Sequence, residues 1–224
     1  MPFNTTFRAL ALCCGLSAMG SSHAAAMLFD SQYDTHTILY SSTANGATLS
    51  ATVEFTLDSL SAKQATFGVK VSNHSFGPGS NRLMSFGIDI VSPALSSVSA
   101  NGGWGASRNT HFPSFGTVDL CVWDGLYCGS GTLFDGVREG KDEMFSLTLK
   151  TKGNFLTSGI EFTGPYTVKF QGVGFWPESA EFAGCVAGTP HCGISPASQV
   201  PEPATIALLG LGLIGASVAR RRRA

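Results

Sequence analysis

Residues 49–57 read LSATVEFTL, and their alternation decides the fold. Leu49, Ala51, Val53, Phe55 and Leu57 fall on one side, while Ser50, Thr52, Glu54 and Thr56 fall on the other. Successive strand side chains point to opposite faces, so a period of two marks a strand with one buried face. The same alternation returns in ATFGVKV (Phe67, Val69, Val71) and MSFGIDI (Met84, Phe86, Ile88, Ile90). It is present again in MFSLTL (Phe145, Leu147, Leu149) and PYTVKF (Tyr166, Val168, Phe170). Between these runs lie turn-rich stretches such as Ser72–Asn81 (SNHSFGPGSN) and Gly102–Phe115. No window before residue 200 keeps a 3.6-residue period. Many short strands punctuated by Gly, Pro, Asn and Ser predict an all-β domain, an antiparallel β-sandwich with a jelly roll among its variants.

The two ends are of a different kind. MPFNTTFRALALCCGLSAMGSSHAAA (1–26) has one positive charge at Arg8, an apolar stretch from Ala9 to Met19, and a small-residue ending. That is the layout of a secretory signal peptide, with Ser22-His23-Ala24 or Ala24-Ala25-Ala26 as its cleavage site. At the other end, Pro201-Glu202-Pro203 precedes an uncharged run, Ala204–Ala219, which Arg220, Arg221, Arg222 and Arg223 close. Sixteen residues of helix span about 24 Å, somewhat short of a bilayer core of about 30 Å. Pro203 suits a helix start, and the arginines supply a basic stop that stays cytoplasmic. A leader at one end and an anchor at the other predict a middle that lies outside the cytoplasm. The expected organisation is a signal peptide (1–26), an exported domain (27–183), a Gly/Pro/Ser tether (184–200) and a membrane tail (201–224).

The order of that tail resembles the PEP-CTERM sorting signal of Gram-negative bacteria. The resemblance implies that exosortase, a membrane-embedded processing enzyme, reads Pro201, Glu202 and Pro203. It also implies transient residence in the inner membrane, then delivery to the cell surface or matrix of an organism that makes extracellular polysaccharide. The interior is similar to a PEP-CTERM group called the cistern family, through SNRLMSFG (80–87), the Cys121–Cys128 stretch and VKFQGVG (168–174). That likeness implies no catalytic residues.

Setting the ends aside leaves 9 basic and 14 acidic residues, a net charge of −5, with no basic cluster. A nucleic-acid partner is therefore not expected, because phosphate neutralisation needs grouped Lys and Arg. Four cysteines remain in two C-x6-C pairs, and an oxidising compartment favours disulfides. Three connectivities exist; the local one, Cys121–Cys128 with Cys185–Cys192, is favoured. The spacing departs from the C-x2–4-C of zinc sites.

Catalytic patterns are missing: there is no G-x-S-x-G, H-E-x-x-H, P-loop or dinucleotide glycine motif. His36, His74, His111 and His191 are scattered. The stretch Val118–Glu143 stands out for its Asp-Gly turns, which make Asp124, Asp135, Glu139 and Asp142 weak calcium candidates, although D-x-D-x-D-G spacing is lacking. Trp104, Trp123, Tyr127 and Trp176 are candidates for stacking on sugar rings, against the plainer reading in which the tryptophans are core and the Asp-Gly pairs are simply turns. The sequence thus predicts a non-enzymatic exported protein without cofactor, associated with exopolysaccharide or biofilm. Its alternative is a carbohydrate-binding or carbohydrate-active hydrolase domain, which would need paired carboxylates.

Overall fold

A computed structural model describes residues 25–132, 134–175, 178–190 and 192. Residues 1–24, on which most of the expected signal peptide falls, Trp176, the stretch 193–200 and the whole tail 201–224 lie outside the described residues. Eleven strands and one short helix follow in order: β1 Met27–Phe29, β2 Thr35–Ala44, β3 Ala47–Leu60, β4 Gln64–Asn73, β5 Gly79–Ile90, β6 Leu95–Ala100, β7 Trp104–Phe112, β8 Gly116–Asp124, β9 Lys141–Thr151, α1 Phe155–Ser158, β10 Ile160–Val173 and β11 Glu178–Val186. Every ladder is antiparallel.

The alternating run at 49–57 forms the middle of β3, and its five apolar residues are all buried. A two-residue turn, Asn45-Gly46, joins it to β2 with both residues at positive φ (49° and 79°). That is the backbone an Asn-Gly hairpin supplies at little cost. Strands β4, β9 and β10 bury the residues expected of them: Phe67, Val69 and Val71; Phe145, Leu147 and Leu149; Tyr166, Val168 and Phe170.

The expected two-sheet sandwich is corrected in its connectivity. The strands form one path, β6-β9-β4-β3-β2-β11-β10-β5-β8-β7, with β1 attached to β10. A short ladder, Cys185 opposite Leu39 and Val186 opposite Ile38, stitches the two halves together at β11–β2. The far ends of the path, β6 and β7, are joined by the turn 101–103, where Trp104 N–H donates to Asn101 O at 3.1 Å. The sheet is therefore a nearly closed barrel whose halves pack face to face as sandwich layers do. Phe55 on β3 meets Phe86 on β5 (5.9 Å) and Phe162 on β10 (5.5 Å) across the interior. Closing a sheet on itself leaves little free edge to recruit another chain.

Strand β5 breaks the expected alternation. Leu83 pairs with Phe170 and Ser85 with Lys169, so β5 uses two steps where β10 uses one. The extra residue is Met84, and a bulge reverses which face its neighbours take. Leu83, Phe86 and Ile88 join the main core, whereas Met84 lies beneath Gly131 and Gly136 of the β8–β9 connection.

The other boundary to move is that of the tether. Strand β11 continues through Val186, and Ala187 N–H donates to Thr37 O (2.8 Å) while Thr189 Oγ1 donates to Val186 O (2.7 Å). Residues 184–190 therefore belong to the sheet and its closing turn, because backbone groups there find partners on β2. At the start of the domain, Ala25 packs against the core and its carbonyl accepts from the buried Tyr166 hydroxyl at 2.6 Å.

Candidate functional site

Two disulfides close where the local pairing places them. Cys121 is bonded to Cys128 (Cα–Cα 6.0 Å) and Cys185 to Cys192 (5.5 Å). Cys121 and Cys128 are buried with Phe112 and Val118, and Phe115 and Trp123 pack on them. This second small core covers the outer face of β5 and β8, so that part of the sheet is buried on both sides.

Beside it lies a polar cleft of about 200 Å³. Its wall on the sheet is made by Lys169 and Gln171 of β10 with Glu178 and Ser179 of β11, and its lip is Gly129-Ser130-Gly131, just after the first disulfide. Lys169, Gln171 and Ser179 project there because they occupy the outward positions of strands whose inward positions are apolar, and Glu178 stands at the start of β11, past a register shift. Lys169 stands directly opposite Glu181 and pairs with it at 3.0 Å, both side chains mostly buried. Glu178 accepts from Asn45 Nδ2 at 2.7 Å. The lip is glycine for steric reasons: a Cβ on Gly129 would come within 2.5 Å of Pro113 Cδ, and one on Gly131 would strike Met84 Cε. Ser130 N–H donates to Tyr127 O at 2.9 Å, and Tyr127 and Phe175 are exposed on the flanking turns. The cleft thus offers one ion-paired ammonium, a carboxylate, an amide and hydroxyls, while Tyr127 and Phe175 stand outside its lining and are near it only along the chain. Such a lining suits a neutral polyhydroxylated ligand better than a polyanion, since its only cation is already paired.

The calcium candidates are not brought together. Asp124 Oδ2 accepts from Gly136 N–H (2.9 Å), and Asp135 Oδ2 accepts from Thr132 N–H (2.7 Å). Glu139 Oε1 accepts from Asn81 Nδ2 (2.6 Å), and Asp142 pairs with Lys70 (3.2 Å). Ser72 and Lys70 beside Asp142 hold its carboxyl below the usual range. Among the described residues no three His, Cys, Asp or Glu side chains converge as metal ligands. Asp124, Asp135 and Glu139 instead pin the β8–β9 connection, Asp142 makes a cross-strand pair between β9 and β4, and Arg82 adds a bond to Phe134 O at 2.7 Å.

The aromatic candidates divide. Trp104 is buried and cannot stack on a sugar: it lies on Phe145 and donates from Nε1 to Glu143 Oε2 at 3.0 Å. Trp123 packs on the disulfide core and over Gly105. Tyr127 is free to contact a ligand, at 60% exposure. Trp176 lies outside the described residues.

One pair of carboxylates does face itself across the sheet. Asp89 Oδ1 accepts from Asp119 N–H (3.2 Å), and Asp119 Oδ2 accepts from Ile90 N–H (2.9 Å). Burial, then the charge of Asp119, pushes the Asp89 carboxyl up. Neither residue lines the cleft.

Sequence reasoning missed the cleft residues Lys169, Gln171, Glu178 and Ser179. The only signal available was the polar outward pair in VKFQ, and nothing in the sequence joins that pair to Gly129–Gly131.

No curated protein and no solved structure matches the chain. Within the described residues no helix is long and apolar enough to cross a membrane. Residues 199–223, beyond the folded domain, match the PEP-CTERM protein-sorting motif, which implies export and processing by exosortase.

Proposed function

We propose that this chain is an exported, non-enzymatic component of the cell surface or extracellular polysaccharide layer. Its N-terminal stretch, 1–26 by its sequence pattern, acts as a signal peptide, and residues 204–219 hold it briefly in the inner membrane until exosortase acts near Pro201-Glu202-Pro203. The observation that carries the reading is the sorting motif at 199–223. The cistern likeness of the interior belongs to the same proposal. Replacing Pro201, Glu202 and Pro203 by alanine is the test. Accumulation of the chain in the inner membrane is expected, and unchanged release to the surface would overturn the sorting role.

The cleft supports a second step, binding of a neutral stretch of that polysaccharide. Its polar lining and the exposed Tyr127 and Phe175 are the features that favour it. Amide and carboxylate groups pair with sugar hydroxyls, while aromatic rings stack on the apolar faces of sugar rings. The non-enzymatic reading is supported by the engagement of Asp89 and Asp119 with backbone N–H groups away from the cleft. Affinity electrophoresis in gels containing the host polysaccharide should retard the protein, with less retardation for Gln171→Ala and Tyr127→Ala. Equal migration of all three would remove the binding step. Release of reducing ends by the purified protein would remove the non-enzymatic one.

A further inference from the structure

The sequence offers two cleavage points for its leader, after Ala24 or after Ala26, and both satisfy the small-residue rule. The folded domain distinguishes them. Its first strand begins at Met27, which is wholly buried and pairs with Phe162. Two residues on, Phe29 sits among aromatic rings, 5.0 Å from Phe67, 5.1 Å from Phe162 and 4.8 Å from His36. The fold does not start there, however. Ala25 is half-buried against the same core, and its carbonyl takes the Tyr166 hydroxyl at 2.6 Å, closer than the Phe162 carbonyl at 2.9 Å. Tyr166 itself is fully buried, and burial raises its pKa, so the hydroxyl stays a proton donor. Ala26, between the two, is exposed.

We propose that the leader is cut after Ala24, so that the mature protein begins at Ala25; the inference rests on the export reading above. A cut after Ala26 would delete the Ala25 carbonyl. It would also place a new α-amino group, charged at neutral pH, on the first residue of the ladder beside Phe162. Charge in apolar surroundings is costly unless paired. A cut after Ala24 leaves Ala25 and Ala26 as a two-residue spacer that carries the ammonium clear of the strand and keeps the tyrosine bond. The backbone therefore assigns Ser22 and Ala24 to the −3 and −1 positions of the processing site, and Ala26 to the mature chain.

The test is the N-terminus of the exported protein, read by sequencing and intact mass. A chain beginning at Ala25 is expected. One beginning at Met27 overturns the inference and leaves the export reading standing, whereas an uncut chain beginning at Met1 overturns both. Ala26→Glu gives an independent reading, because a large charged residue at −1 blocks a cut after position 26 but lies beyond a cut after position 24. Processing at the wild-type rate is expected, and loss of processing overturns the proposal. Otherwise identical chains made to start at Ala25 and at Met27 should differ in Tm by about 2–4 °C, the shorter one melting first. Equal melting would remove the physical reason for the choice.

Discussion

Trp104 stacks on Phe145 with ring centroids 4.5 Å apart and 16° between the planes. The first residue is on β7, one end of the sheet path, and the second on β9, the neighbour of the other end β6, so the stack spans a gap that no ladder closes among the described residues. Glu143 on β9 fixes the indole further through Nε1. Trp104→Ala should therefore cost about 3–5 kcal/mol, the range for deleting a buried large aromatic. Trp104→Phe keeps most of the apolar contact and should cost less. Urea unfolding followed by circular dichroism checks both, and a Trp104→Ala loss below about 1 kcal/mol would show that the ends are held elsewhere.

The strands β3, β4, β9 and β10 were legible in the sequence because each has one face in the core and one face less covered, and the alternation records that asymmetry. Strand β5 was harder for a physical reason. Ser85 and Gly87 are covered by the disulfide core on the outside, and the Met84 bulge shifts parity midway, so neither face stays uniform. Whether Trp104 is a core or a ligand-stacking residue stayed open in the sequence, because it follows Asn101-Gly102-Gly103 in a turn-rich stretch. Its partner Phe145 is 41 residues away and is reached only through strand pairing. The cleft has a similar origin: Ser130 of the β8–β9 connection and Ser179 of β11 meet at one cleft through tertiary packing, which a single sequence does not display. Cysteine spacing was more informative, since seven-residue separations close on themselves without any knowledge of the rest of the fold.

The Cys121–Cys128 bond secures the small outer core and, next to it, the glycine lip. Replacing both cysteines by alanine should cost roughly 2.5 kcal/mol, the chain-entropy value for a loop of about eight residues at 25 °C. Binding to polysaccharide should weaken in the same variant, because Gly129–Gly131 lose their anchor. The equivalent change at Cys185 and Cys192, at the C-terminal end of β11, should lower stability by a similar amount and leave binding unchanged. Equal effects of the two double variants on binding would dissociate the lip from the cleft.

Gly87 allows the second core to approach the sheet. A Cβ there would come within 2.5 Å of Thr167 Oγ1 and 3.1 Å of both Phe112 and Val118. These neighbours are buried and two of them are parts of a packed cluster, so none can swing clear. Gly87→Ala should destabilise by about 1–3 kcal/mol, the usual cost of overpacking. The backbone at Gly87 is ordinary strand, so the lower chain entropy of the unfolded alanine variant offsets only about 0.4–1 kcal/mol of the overpacking. A neutral or stabilising result in thermal unfolding would mean that the outer core is loosely packed.

Asp89 gives the domain a pH dependence of distinctive sign. Burial and the charge of Asp119 raise its pKa in the folded protein, so the folded state binds the proton more tightly than the unfolded one. By linkage, this residue favours the fold below its unfolded pKa of about 4, and that contribution is lost as pH rises through the folded value. Asp142 behaves oppositely: its lowered pKa contributes stability at neutral pH that is lost on acidification through the folded value. Asp89→Asn removes the buried charge and keeps an oxygen that can accept from Asp119 N–H. It should be as stable as the wild type or slightly more so at pH 7, by less than about 1 kcal/mol because the group is only half-buried and solvent screens the repulsion. The advantage should vanish near pH 3, where the wild-type carboxyl is already protonated. Parallel denaturation curves at the two pH values check the sign. An Asp89→Asn variant that is less stable at pH 7 than at pH 3, relative to wild type, would mean that the bond accepted by the charged carboxylate outweighs its burial.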